Sequence, residues 1–222
     1  MRRNEILILA ALAVPVMALA QTQPSLNHAL AMMQKPPPPL AFQTLTPTRG
    51  ERAAIAAARE KSARTLELIN ANHKRSGSPP VDMQAINRTQ VPVLIVPAAP
   101  LYKAFQIFST RDHYVLSGSD DLNGVVVTGT RVTQLLKGQA AIPPLDPKLQ
   151  IILDQARAAN GTSDPITDVT VSVTEDGAEA SFRRFGALYD LRLACAKKDA
   201  PECSLEQTAK LIGGTVLLGG GL

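Results

Sequence analysis

Tryptophan is absent from this sequence, and aromatic residues make up only 4% of it. That is too few for the stacking platforms on which sugars or nucleic-acid bases are held. No apolar run reaches the roughly 20 residues that a bilayer-crossing helix needs. Basic residues exceed acidic ones only mildly, 23 against 19. A nucleic-acid binder carries its basic residues in clusters, so the balance argues against such a partner. Only three histidines are present, and neither of the two cysteines has one nearby in sequence. The sequence holds no Gly-x-Ser-x-Gly elbow, no His-Glu-x-x-His, no P-loop and no Ser-x-x-Lys, and therefore none of the catalytic signatures that those spacings carry.

What is present begins with an address. Arg2 and Arg3 precede an apolar run from Ile6 to Ala20 that ends in Ala18-Leu19-Ala20. A short basic start, an apolar core of about 15 residues and a small-x-small ending are the parts of a cleavable secretory signal peptide. Cleavage is expected after Ala20, with no lipid-modified cysteine at the cut and no transmembrane segment in the mature chain. The mature protein is expected to work outside the cytoplasm. Removal of residues 1–20 leaves 202 residues with 21 basic and 18 acidic side chains. Cys195 and Cys203 form an even pair in an exported chain, which reads as one disulfide closing a short polar loop. A redox-active pair would want Cys-x-x-Cys spacing, which is not found here.

Residues 21–47 are polar and proline-rich around Pro36-Pro37-Pro38-Pro39, the composition of a stiff polyproline II linker. Thr48 and Glu51 then fit a capping box. An amphipathic helix is expected within 48–80, with Ile55, Ala58, Ser62, Leu66 and Ile69 on one face. An α+β domain is expected over 85–215, its sheet mainly antiparallel with two or three packed helices, and a flexible tail over 216–222. Val91 to Val96, Phe105 to Ser109 and Asp112 to Thr130 read as strands, the last as a hairpin turning at Asp120-Asp121-Leu122-Asn123-Gly124. That turn lacks the first carboxylate and the closing Glu of a calcium loop, and no metal or other cofactor is expected. Asp146, Pro147 and Gly161 punctuate a second helix. Asp176-Gly177 predicts a type I′ hairpin, and Ser204 with Gln207 predicts a short final helix stopped at Gly213-Gly214. A faint symmetry of a strand group followed by a helix is visible, without a residue-level repeat.

Between Phe182 and Phe185 the apolar positions change from even to odd numbers. Period-two geometry requires a bulge or break at Arg183-Arg184. Two guanidiniums re-aimed there would form a fork for a carboxylate or phosphate, so Arg183 and Arg184 are candidate binding residues. Arg111 and His113 form a further polar patch. Asp112 and His113 are adjacent on a strand and point to opposite faces, which disfavours an orienting pair. No catalytic residue is assigned. His28 and His73 read as solvated surface positions.

The segment Ala180-Ser181-Phe182-Arg183-Arg184-Phe185-Gly186-Ala187-Leu188-Tyr189, with Cys195 and Cys203, Val91 to Pro97 and Thr128-Gly129-Thr130-Arg131, is similar to one in uncharacterised exported proteins of Gram-negative bacteria. The resemblance covers roughly residues 85–215. It implies a periplasmic location and one shared domain, and no activity. The expectation is a non-enzymatic domain binding an envelope protein or polymer. The alternatives are a cell-envelope hydrolase using Asp112, His113 and Arg183, and a scaffold whose first helix pairs with another chain.

Overall fold

A computed structural model describes residues 41–121, 123–135, 142–197 and 200–221. The segment read as a signal peptide and the proline tract lie outside the described residues. The fold is α+β, with five α-helices and ten β-strands among the described residues. No described helix is long and apolar enough to cross a membrane.

Helix α1 (Arg49–Arg75) starts where its capping box places it. The Thr48 hydroxyl accepts from the Glu51 N–H at 3.2 Å, and the Thr48 N–H donates to Glu51 Oε2 at 2.7 Å. Two orphan donors of the first turn are thereby satisfied. Its stripe around Ile55 and Ile69 is buried and lies against strand β10 (Val216–Gly220). Strand β1 (Ala41–Thr44) pairs with β6 (Val132–Leu135), so the last part of the segment read as linker belongs to the fold.

Six strands form the main sheet: β3 (Gln106–Ser109), β4 (His113–Ser119), β5 (Asn123–Thr130), β9 (Ala187–Cys195), β8 (Gly177–Arg184) and β7 (Thr167–Val173), in that spatial order and antiparallel throughout. Alternation buries Tyr114, Leu116, Val125, Val127, Tyr189, Leu191, Ala180 and Phe182 on one face. Against that face lie β2 (Pro92–Ile95), which pairs with β10, and the helices α2 (Met83–Arg88), α3 (Ala99–Lys103) and α5 (Leu205–Gly213). Helix α4 (Pro147–Ala159) packs on α5. The terminal segment read as a flexible tail is thus a buried strand. Glycine suits position 219 there because a Cβ would stand 2.7 Å from the Ile86 side chain.

The parity change at Arg183-Arg184 is a hairpin rather than a bulge. Arg184 pairs directly with Ala187 across Phe185-Gly186, both of which adopt positive φ (53° and 70°), as a type I′ turn requires. Directly opposed residues share a face. Positions 184 and 187 differ by three, so parity must flip. The preceding hairpin, which joins β7 to β8, lies one residue earlier than its Asp-Gly signal predicts. Thr174 N–H donates to Gly177 O, leaving Glu175 and Asp176 as the loop. Gly177, at φ 156°, serves another need: a Cβ there would meet the Leu193 carbonyl oxygen at 1.9 Å.

The sheet is palindromic, and its register repeats with a shift of 64 residues. Gln106↔Ser117 in the first half is matched by Thr170↔Ser181 in the second, His113↔Thr130 by Gly177↔Ala194, and Ser119↔Gly124 by Arg183↔Leu188. The turns match as well. Thr110 N–H donates to His113 O as Thr174 N–H does to Gly177 O, and Arg131 N–H donates to Asp112 O as Cys195 N–H does to Asp176 O. Asp82 caps α2 and Asp146 caps α4 at the same offset. The symmetry glimpsed in the sequence is therefore a helix followed by a three-stranded meander, the reverse of the expected order.

Strand β2 would bring a bare edge into the core, where unpaired backbone groups are costly. Two tyrosines cover it. The Tyr114 hydroxyl accepts from the Leu94 N–H at 3.0 Å and lies 3.4 Å from the Leu94 carbonyl, and the Tyr189 hydroxyl donates to the Pro92 carbonyl at 2.9 Å. Pro92 has no N–H to satisfy, so proline is tolerated on that edge. Burial raises both phenols well above their ordinary value of 10.0. In the unfolded chain they ionise near 10, so the stability that their neutral forms contribute is complete below that pH and is lost as pH rises beyond it. Each such group gives a slope of up to about 1.4 kcal/mol per pH unit. Thermal unfolding between pH 9 and 11.5 is expected to show this fall, shallower in Tyr189→Phe.

Candidate binding groove

At the end of the sheet where β4 turns into β5 and β9 runs out, two grooves of about 570 and 190 Å³ lie side by side. They share Gly124, Val125, Leu193 and Ala194 as a common floor. Pro79 and Phe105 wall the larger groove, and Pro97, Pro100 and Leu211 the smaller. The larger falls in the range of roughly 300–1,000 Å³ typical of ligand pockets. Its lining is mainly apolar and is drawn from both faces of the sheet at this end. Polar groups stand at the rim: Gln106, Ser117 and Ser119 on the larger groove, and Asn123, Glu202 and Gln207 on the smaller. Arg192, the cation at the rim, is paired with Glu179 at 2.7 Å.

The wall is held from behind by His73. Expected on the surface, this side chain is instead buried, its Nδ1 2.8 Å from the Pro79 carbonyl and its ring edge-on to Phe105 at 5.2 Å. A carbonyl can only accept, so Nδ1 carries the proton and Nε2 is left without a protein partner. The sequence reading missed this role. Its signal was the placement of His73 four residues after Ile69, on the buried stripe.

Cys195 and Cys203 are bonded, and Cys195 borders the smaller groove. Closing a loop this short stabilises by about 2–3 kcal/mol in the chain-entropy account. Reduction is expected to lower the unfolding free energy by that amount, read from urea melts with and without reductant.

The candidate residues at the other end of the sheet are not brought together. Arg184 is buried, its side chain 1% exposed. Nε and Nη2 form a bidentate pair with Asp164 at 2.5 and 3.0 Å, and Nη1 donates to the Thr215 carbonyl at 2.8 Å and to its hydroxyl. With those donors committed inside the fold, Arg184 is no part of an exposed fork. Arg183, on the opposite face of β8, faces Glu51 at 4.0 Å. His113 and Arg183 stand in one row across the sheet, through Thr130 and Leu188. Three strand steps at about 4.8 Å each separate them by roughly 14 Å. Asp112, His113 and Arg183 therefore form no common site in this conformation. Arg111 is exposed and lies beside Gln90, whose amide oxygen, when turned toward it, accepts from Nε and Nη2 at 3.2 and 3.3 Å. Arg131, not singled out as a site from sequence, is 7% exposed with Nε and Nη2 unpartnered. Burial lowers its pKa, opposed by the nearby Asp112 and Glu51 carboxylates. His28 lies outside the described residues.

No known protein family, curated protein or solved structure matches the chain.

Proposed function

We propose that the protein is a non-enzymatic binding module of the periplasm, exported through its N-terminal leader, that holds an envelope component or partner protein in the paired grooves. The resemblance to uncharacterised exported proteins of Gram-negative bacteria supports the compartment, as does the disulfide, a bond at home in oxidising surroundings. The observation that carries the binding reading is the larger groove itself: an apolar floor, a rim of neutral polar groups and its one cation already paired. Such a lining binds by burial and orients by a few hydrogen bonds. The separation of Asp112, His113 and Arg183 weighs against the hydrolase alternative.

Affinity capture of the tagged protein from an envelope extract tests this. Ala194 is exposed on the floor, so Ala194→Arg fills the groove without disturbing the core. One component is expected in stoichiometric amount with the wild type and with Arg183→Ala, and to be lost with Ala194→Arg. Equal recovery with all three proteins, or none with any, would remove the groove as the site.

A further inference from the structure

The main sheet ends in two edge strands, and the fold treats them differently. On the β3 side helix α2 packs beside the strand, and the Ser109 hydroxyl donates to the Ala85 carbonyl. On the β7 side the ladder leaves backbone groups free. Thr174 N–H donates to Gly177 O, which makes Thr174 and Gly177 a hydrogen-bonded pair. Bonded and non-bonded pairs alternate along an antiparallel ladder. Ser172↔Glu179 and Thr170↔Ser181 are therefore bonded pairs, and Val171 and Val173 turn their N–H and C=O groups away from β8. No described segment pairs with them. Ser172 and Val173 are exposed, Val173 by 54%. A row of such groups is a template for another strand.

Charge frames this edge. No residue from Val169 to Thr174 is charged. Asp168 stands at one end, at φ 53° in the bulge between Thr167 and Thr170, and Glu175 and Asp176 stand at the other. All three are exposed, and none forms an ion pair among the described residues. A second copy of the chain fits poorly. The antiparallel register that bonds Val171 of each copy to Val173 of the other brings Asp168 toward Asp176, and opposed like charges destabilise a strand pair.

We infer that β7 takes an added strand: an extended, antiparallel segment of a partner protein, uncharged opposite Val171 to Val173 and basic at both ends. Main-chain hydrogen bonds to Val171 and Val173 hold it, and its side chains opposite those two valines lie on the same face and cover Val173. Its basic ends meet Glu175 and Asp176 on one side and Asp168 on the other. A groove of about 490 Å³ opens at the Asp168 end, walled by Ile142, Pro143, Pro144 and Leu145 and lined by Asp168 itself. An apolar groove with a carboxylate on it suits the stem and the charged tip of a lysine or arginine. This site shares no lining residue with the paired grooves and stands independently of them.

The test uses the isotope-labelled protein and two end-capped synthetic peptides, Lys-Lys-Thr-Val-Thr-Val-Thr-Lys and the same sequence with glutamate for each lysine, followed by NMR. The basic peptide is expected to give saturable shifts at Val171 and Val173 and to slow the exchange of those two amide protons. Thr170 and Ser172, already bonded to β8, should change little. Val173→Pro removes an outward N–H without breaking a bond to β8, and proline is tolerated on an edge strand. It should weaken binding about tenfold, a loss of about 1.4 kcal/mol. Glu175→Lys with Asp176→Lys should abolish the preference for the basic peptide, and this loop variant decides the matter should Val173→Pro misfold. Equal binding of the two peptides to the wild type, no saturable shift, or shifts at Ser119, Gly124 and Ala194 in place of the edge would overturn the inference. So would slow exchange at Val171 and Val173 that is lost on diluting the peptide-free protein, which would make a second copy the occupant.

Discussion

Replacing Asp164 with Ala is expected to destabilise the protein by about 3–5 kcal/mol, the cost of leaving one member of a buried ion pair uncompensated. The side chains of Arg184 and Asp164 are 1% and 8% exposed, so water cannot take the place of the lost carboxylate. The Thr215 carbonyl and hydroxyl would still hold Nη1, and the Phe185 ring would still lie 4.7 Å from the guanidinium carbon. Neither supplies a negative charge. Asp164→Asn keeps the shape and an acceptor and should cost less. Arg184→Met with Asp164→Leu removes both charges, and replacement of a buried pair by apolar groups is often close to neutral. Here it also strips the Thr215 carbonyl of its donor, worth about 1–3 kcal/mol. Urea denaturation followed by circular dichroism should therefore rank Asp164→Ala as the least stable, below the double variant. A single variant within 1 kcal/mol of wild type, or a double variant as unstable as the single, would mean that the pair is not isolated from solvent.

Why this pair escaped the sequence reading is instructive. Parity located the irregularity at Arg183-Arg184 correctly, but a bulge and a two-residue hairpin flip parity alike. A bulge would have turned both arginines outward; the hairpin leaves Arg184 as the last inward residue of β8. Its partner lies twenty positions back, in a loop that no local pattern connects to it. The features written in adjacent residues were legible: the capping box at Thr48, Asp146 ahead of Pro147, Ser204 with Gln207, and the alternation of β4, β5 and β9. Strand β10 was obscured because Gly219 to Gly221 read as flexible, although Val216-Leu217-Leu218 beside them is apolar. The groove is drawn from segments between residues 78 and 211. No single stretch announces it.

The repeat was hidden for a physical reason that leads to a second large effect. The two halves keep the same backbone pairs but exchange which member is bulky. Tyr114 faces Gly129 in the first half; at the same offset Ala178 faces Leu193 in the second. The Tyr114 ring covers Gly129 so closely that an added Cβ would meet it at 2.3 Å, and the ring is held in place because its hydroxyl is bonded to Leu94. Gly129→Leu is therefore expected to cost about 3 kcal/mol, the upper part of the usual overpacking range. Tyr114→Ala should cost about 3–5 kcal/mol from the cavity alone, with the buried Leu94 N–H losing its partner besides. Tyr114→Ala with Gly129→Leu installs the second half's pair in the first. The new leucine fills much of the cavity, while the Leu94 N–H stays unsatisfied. The double variant should thus be more stable than the sum of the two losses implies, with a favourable coupling of about 1–3 kcal/mol, the size found for residues in contact. Additive losses would show that the ring and the glycine do not constrain each other, and that the exchange of bulk between the halves has no energetic basis at this pair.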